Sequence, residues 1–400
     1  MNALSHPVEA PASQRPLTSV AGLCAMVFAE FLAMGLPLPV LPEHVSSALG
    51  FGPFVVGLAI GAQSWATLLT RHAAGTRSDQ RGPQSTAVLG LALSALAGVL
   101  MAASSLLGGA SAGLAVLLVG RGLLGLGESL VITSALSWGV GLAGRERTGL
   151  VMAWVGIAMY GALAVGAPIG SALFARFGFV GVALAAAVAP LFGLIAALQT
   201  RTIATVGTAR LPVRTVARLI WLPGLGLTAS ALGFGAIAAF STLRFKEAGW
   251  PHAPLAMVAF GAAYVLARLV FGRLPDRLGG ARVALGSTAI AAVGQTLMWL
   301  APNAGVAIAA AGLTGLGFSL AVPAFGVEAI KHVPPQHRGV AVGAFAACFD
   351  LAMGVGVPAL GLAVGAFNLS AAFAIGALGA TLGLVVALVL LRAPAKAVLS

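Results

Sequence analysis

The 400 residues are 59% hydrophobic and 8% charged, with a mean hydropathy of +1.02. A soluble domain carries about 25% charged residues, so this chain has too little polar surface to cover itself in water. Its net charge of +12 does not mark a nucleic-acid binder, because the basic residues fall in short intervals between apolar runs rather than on one polar face.

Crossing a bilayer takes about 20 apolar residues. Residues 1–17 are a polar tail, and the run 18–41 is too long for a signal-peptide core and lacks a small-x-small cleavage site. It is therefore expected to stay as the first span. Further spans are predicted near 53–72, 84–106, 113–139, 149–174 and 178–199, which complete an N-terminal half over 18–199. After a polar linker at 200–217, six more are predicted near 218–243, 254–274, 282–301, 304–331, 339–365 and 369–392, then a tail at 393–400. The second half thus occupies 218–392. With the N-terminus inside, 17 of the 22 Lys and Arg face the cytoplasm, while only Arg176, Arg244 and Lys246 lie outside and Arg121 and Arg268 sit within spans. That asymmetry predicts twelve spans with both termini cytoplasmic.

The two halves repeat each other. Arg71, Gly75, Asp79 and Gly82 recur 197 residues later as Arg268, Gly272, Asp276 and Gly279. At an offset of 190, Leu123-Leu-Gly-Leu-Gly-Glu-Ser-Leu130 matches Leu313-Thr-Gly-Leu-Gly-Phe-Ser-Leu320, and Gly166-Ala-Pro168-Ile-Gly170 faces Gly356-Val-Pro358. An ordered set of three matches points to a doubled membrane unit, the architecture of transporters.

An ionisable group in hydrocarbon costs roughly 2.5–3.5 kcal/mol on insertion scales, so each one kept there marks a candidate site. Segments 3, 6, 9 and 12 have none in their apolar cores. Glu30 is in segment 1, Arg121 and Glu128 in segment 4, Arg268 in segment 8, Glu328 in segment 10 and Asp350 in segment 11. The polar helices are expected to surround a water-accessible centre. Arg121 and Glu128 share one helix face with Gly125; one reading makes them a self-satisfying pair, the other makes Glu128 a protonation site with Arg121 as its partner or as a substrate anchor. Asp350 occupies the repeat position of Tyr160, so the pseudo-twofold pairs a carboxyl with a phenol. Glu30 stands before Gly35-Leu-Pro-Leu-Pro39, where prolines interrupt the helix. In the doubled loop, Gly75 and Gly272 allow close approach, Asp79 and Asp276 are placed to meet a helix N-terminus, and Arg71 and Arg268 supply counter-charges: parts for a gating latch. Gly166, Pro168, Gly170, Gly356 and Pro358 are expected to bend or pack segments 5 and 11.

These residues resemble the major facilitator superfamily over essentially the whole chain. Its loop motif, Gly-x-x-x-Asp-Arg-x-Gly, is similar to Gly272-Arg-Leu-Pro-Asp276-Arg277-Leu-Gly279, while the first copy has Gln80 where Arg or Lys is usual. The segment-4 motif resembles Arg121-Gly-Leu-Leu-Gly125-Leu-Gly127, and the resemblance ties Arg121 to proton coupling. The segment-5 antiporter motif resembles Gly166-Ala-Pro168-Ile-Gly170, with one residue inserted. The runs Gly35 to Pro42, Gly161 to Pro168 and Trp221 to Leu227 look more narrowly like the bacterial YhhS/YfcJ transporters, sometimes labelled arabinose or sugar efflux proteins.

The expectation is an all-α membrane protein of two pseudo-symmetric six-helix halves, the major facilitator fold, in a bacterial inner membrane. It is expected to act as a monomer that moves a small organic solute, with protons as coupling ion and efflux by antiport. Import of a sugar or organic anion is the alternative within transport. No cofactor, metal or nucleic acid is expected to take part. An embedded enzyme is disfavoured because all six histidines lie at or beyond span edges, and ATP-driven transport because no Gly-x-x-x-x-Gly-Lys-Ser/Thr loop exists.

Overall fold

The computed structural model describes residues 18–144, 148–202, 213–331, 333 and 338–392. Both tails, most of the linker, and Arg15, Arg145, Arg147, Arg210 and Lys396 lie outside the described residues. The described residues form helices joined by short connections. We number the long helices α1 (Thr18–Gly35), α2 (Pro53–Arg81), α3 (Pro83–Ser104), α4 (Ala110–Ala143), α7 (Val213–Glu247), α8 (Pro254–Phe271), α9 (Gly280–Trp299), α10 (Ala304–Ile330) and α12 (Ser370–Arg392). The continuous stretch Thr148–Gln199 breaks at Gly178, where φ is +63°, into α5 (148–177) and α6 (179–199). Helix α11 spans 338–366 through a π turn at Ala352–Gly356.

Nine of the described helical stretches are long and apolar enough to cross a membrane by length and hydropathy alone. Twelve follow once Thr148–Gln199 is divided at its break and the shorter α1 and less apolar α9 are added. The expected spans all appear, with one change. The first copy of the doubled motif is not a loop: α2 runs on unbroken to Arg81, whereas the second copy stops at Phe271 and resumes as a short helix, Leu274–Leu278. Pro275 at the first turn of that short helix fits this, since proline opens helices and breaks their interiors. Both copies end alike. Gly82 has φ +88° and ψ 152°, Gly279 has φ +87° and ψ 144°, and each is at once the end of one helix and the start of the next. Only glycine adopts that backbone without strain, which explains its recurrence.

The repeat extends into packing. A Cβ on Gly125 of α4 would meet the Gln63 carbonyl of α2 at 2.0 Å, and one on Gly315 of α10 would meet the Phe260 carbonyl of α8 at 2.2 Å. Residues 63 and 260 are 197 apart, and residues 125 and 315 are 190 apart. Small residues let backbones touch where no hydrophobic drive acts between helices. Large apolar side chains such as Leu69, Leu269 and Leu378 cover the outer faces of the helices, as a bilayer requires.

The loops after odd-numbered helices lie at one end of the bundle (36–52, 248–253) and those after even-numbered helices at the other (273–279), the motif end. At the first end the halves share a core: the cluster that fills the second half continues into Leu36–Ile60 and Ala167–Ala189. Toward the motif end the first half keeps a separate cluster around Leu23–Phe31, Ala87, Leu91 and Val131–Trp138. Among the described residues, the hydrophobic core that the halves share lies toward the first end.

Candidate functional site

Helix α2 carries Gln63, Thr67 and Arg71 at four-residue spacing, on one face. Against that face lies α4. Glu128 Oε2 accepts a 2.8 Å hydrogen bond from the Gln63 amide and a 3.2 Å bond from the Thr67 hydroxyl. Arg121, buried completely, donates from Nε to the Ala59 carbonyl at 3.0 Å and from Nη2 to the Ile60 carbonyl at 3.2 Å. Arg121 and Glu128 therefore share a face, but each spends its hydrogen bonds on α2 rather than on the other. One guanidinium nitrogen of Arg121, Nη1, remains buried with no partner.

One turn beyond Thr67, Arg71 crosses to the second half and forms an ion pair with Asp350 of α11, which is buried. The repeat predicts a matching contact, and it exists. Arg268 of α8 is the repeat position of Arg71, and its guanidinium lies 5.8 Å from the ring centre of Tyr160 on α5, the repeat position of Asp350. One crossing is ionic and the other cation–π. Tyr160 packs against Tyr264 with ring centres 4.5 Å apart and planes tilted by 33°, and Tyr264 opens a ring cluster with Phe260, Phe318, Phe234 and Phe349. Applying the 197-residue offset to Gln63 and Thr67 gives Phe260 and Tyr264: the first half presents amide and hydroxyl where the second presents rings. Gln63, Thr67 and Tyr264 are the members of this centre that motif reading missed, and the offset would have found them.

The other candidates sit elsewhere. Glu30 is buried in the first half and accepts from Ser94 of α3 at 2.6 Å, with Oε2 unpartnered; it points toward α3, away from the proline break that follows it. Glu328 accepts the Ala281 backbone N–H at 2.9 Å and lies 3.5 Å from Lys331. It caps the start of α9 at the motif end, where the helix dipole favours a carboxylate. Its repeat position is Trp138, whose indole donates to the Arg201 carbonyl at 2.9 Å. Of the gating motif, Asp79 and Gly75 are half-buried, while Asp276, Arg277 and Gly279 are exposed. Gly166 and Gly170 of α5 pack on Gly35 at the end of α1 and on Leu36 just after it, and Gly356 on Leu232 of α7. Pro358 follows the π turn of α11, and Gly57 of α2 packs against it across the two halves. Pro168 lies inside α5 with no non-helical residue beside it.

Near the first end, Thr242 of α7 donates to the Pro39 carbonyl at 3.2 Å, and Lys246 pairs with Glu43 at 2.8 Å. Close by, His44 stacks on Phe179 at 3.9 Å, and burial lowers its pKa to about 4. Among the described residues no cluster of three or more His, Cys, Asp or Glu is placed to hold a metal.

A doubled helical bundle whose halves meet through buried charges is the arrangement of a carrier that exposes its centre to each side in turn. The family model of the Major Facilitator Superfamily matches residues 23–253 and again 224–399, once for each half. The chain belongs to that superfamily. It is 41% identical over 345 residues to an uncharacterized MFS-type transporter of Salmonella typhimurium, covering 85% of this chain and 88% of that protein. Similar proteins from Pseudomonas aeruginosa (39% over 356 residues, 89% of each chain) and Burkholderia mallei (39% over 348 residues, 86% and 84%) carry the same description. Among solved structures, a mutant of the nucleoside transporter NupG matches with a TM-score of 0.73 at 14% identity, over 93% of this chain and 99% of that one. That likeness concerns the fold. The chain is thus a multi-pass membrane transporter and not an enzyme.

Proposed function

We propose that the protein is a proton-coupled secondary transporter of a small organic solute, working by alternating access between its halves, 18–199 and 218–392. With both termini cytoplasmic, as the charge asymmetry favours, the joined end is external and the structure is closed to the outside. A bacterial inner membrane and a place in the YhhS/YfcJ-like group accord with the bacterial relatives and the segment-1, -5 and -7 runs. We take the working unit to be the monomer.

The observation that carries the reading is that α2 holds both the carboxylate and the inter-half ion pair. Ionised Glu128 and Asp350 both attract Arg71, and both charges fall within electrostatic reach of Glu128. Protonating Glu128 removes the competitor and tightens Arg71 on Asp350; deprotonation loosens it. A proton on one half thereby biases how the halves meet, which is what coupling requires. The Gly166-Ala-Pro168-Ile-Gly170 run supports efflux by antiport. Arg268, which has no carboxylate partner among the described residues, supports a second reading, co-transport of an organic anion with the proton.

The test is solute flux through proteoliposomes under an imposed pH gradient. Glu128→Gln abolishes gradient-driven flux and keeps counterflow at equal pH. Undiminished gradient-driven flux in that variant removes Glu128 from the mechanism.

A further inference from the structure

The broken symmetry between Arg71 and Arg268 identifies what the centre binds. Arg71 meets a carboxylate supplied by the other half. Arg268 occupies the same position in its own half, yet the other half offers it the face of Tyr160. Among the described residues its one hydrogen bond is to the Ser319 carbonyl, from Nη1 at 3.0 Å, which leaves most of the five guanidinium donors available to a ligand. Arg268 stands in the last turn of α8 and has no carboxylate partner among the described residues; a cation held within a span without one is costly, and a site that completes itself with an anion removes that cost. Beside it the buried Tyr264 hydroxyl has the Tyr160 hydroxyl as its neighbour, out of line for a hydrogen bond. The neighbouring surface is aromatic, with Tyr160, Tyr264, Phe260 and Phe318 in mutual contact.

We infer that Arg268 is the anchor for a carboxylate on the transported solute, which takes the place relative to Arg268 that Asp350 holds relative to Arg71. The solute's flat, apolar body lies against the Tyr160–Tyr264 rings. A planar fork of donors matches a carboxylate in two-point contact, and stacked rings favour a planar partner. Arg121, the fully buried guanidinium, is not this anchor, because its Nε and Nη2 are tied to α2 carbonyls and it lies within the first half, away from the rings. The inference rests on the transporter reading and bears on its coupling mode. Tyr160 lies within electrostatic reach of Arg268, Asp350 and Glu128, so an anion seated against it favours a proton on Glu128, and solute and proton load together, as in co-transport.

The experiment uses the full-length protein in detergent at fixed pH, with no gradient, so that proton coupling is not required for the readout. Benzoate, acetate, inorganic phosphate and benzamide (the neutral isostere of benzoate) are titrated while thermal unfolding and calorimetric binding are followed. Benzoate is expected to bind saturably and benzamide at least tenfold more weakly. Arg268→Gln loses benzoate binding, whereas Glu128→Gln retains it, which separates this inference from the coupling mechanism. Tyr160→Asp supplies an internal carboxylate: it remains folded and also loses benzoate binding, so loss through misfolding is told apart from loss of the anchor. Equal binding of benzoate and benzamide overturns the inference. So does phosphate bound in place of benzoate, unaltered benzoate binding in Arg268→Gln, or no binding of any of the four probes.

Discussion

Replacing Asp350 by Asn leaves Arg71 facing a neutral amide between the halves. The Asp350 side chain is 4% exposed and that of Arg71 19%. Breaking a buried ion pair by removing one partner costs about 3–5 kcal/mol, and the partial exposure of Arg71 places this case near the lower value. At 1.36 kcal/mol per tenfold, about 3 kcal/mol shifts the balance against the joined state by roughly two decades. The joined state can be read directly, because Glu43 and Lys246 meet across the halves at 2.8 Å. Cysteines at those two positions, with Cys24 and Cys348 replaced by Ala, should be joined quickly by a short bifunctional maleimide, which spans the gap left by two long side chains. Asp350→Asn should slow that reaction, by up to about a hundredfold, and the exchanged pair Arg71→Asp with Asp350→Arg should restore most of it. Unchanged crosslinking in Asp350→Asn, in protein that unfolds at the wild-type temperature, refutes the view that this pair holds the halves together.

Three further outcomes are expected. Gly125→Ala should lower the unfolding temperature, since helix propensity contributes about 1 kcal/mol in its favour but overpacking against the Gln63 carbonyl costs about 1–3 kcal/mol; Gly122→Ala, with nothing within 4 Å of the new methyl, should not. Glu328→Ala should cost about 0.5–2 kcal/mol as a lost helix cap and leave flux per folded molecule intact; lost flux at unchanged stability would return Glu328 to the transport site. Thermal stability should fall as pH drops from about 6.5 to about 4, because unfolded His44 takes up a proton in that window while the buried imidazole does not. His44→Phe should flatten that part of the profile, and an unaltered slope contradicts the assignment.

The spans were legible because each is a run of about 20 apolar residues between charged or glycine-rich breaks, and the doubling was legible because Arg, Gly and Asp kept their spacing. What one helix does to another was not. Spacing placed Arg121 and Glu128 on one face correctly, but nothing within α4 reveals that Ala59, Ile60, Gln63 and Thr67 of α2 take up their hydrogen bonds. Glu328 looked like its fellow intramembrane carboxylates because its partner, a backbone N–H of α9, leaves no mark in composition. The continuation of α2 to Arg81 was hidden by polar residues that elsewhere signal a loop. The pairing of Arg71 with Asp350 lay closest to the surface of the sequence: each residue had been singled out, and the repeat relates each to its counterpart, Arg268 and Tyr160.

Spin labels at Gln80 and Leu278, exposed at the motif end on opposite halves, give the measurement that bears most directly on coupling. Pulsed electron resonance should show two distances whose ratio moves toward the longer as pH falls and Arg71 tightens on Asp350, and Glu128→Gln should hold the low-pH ratio at every pH. A single distance, indifferent both to pH and to Glu128→Gln, would contradict the account.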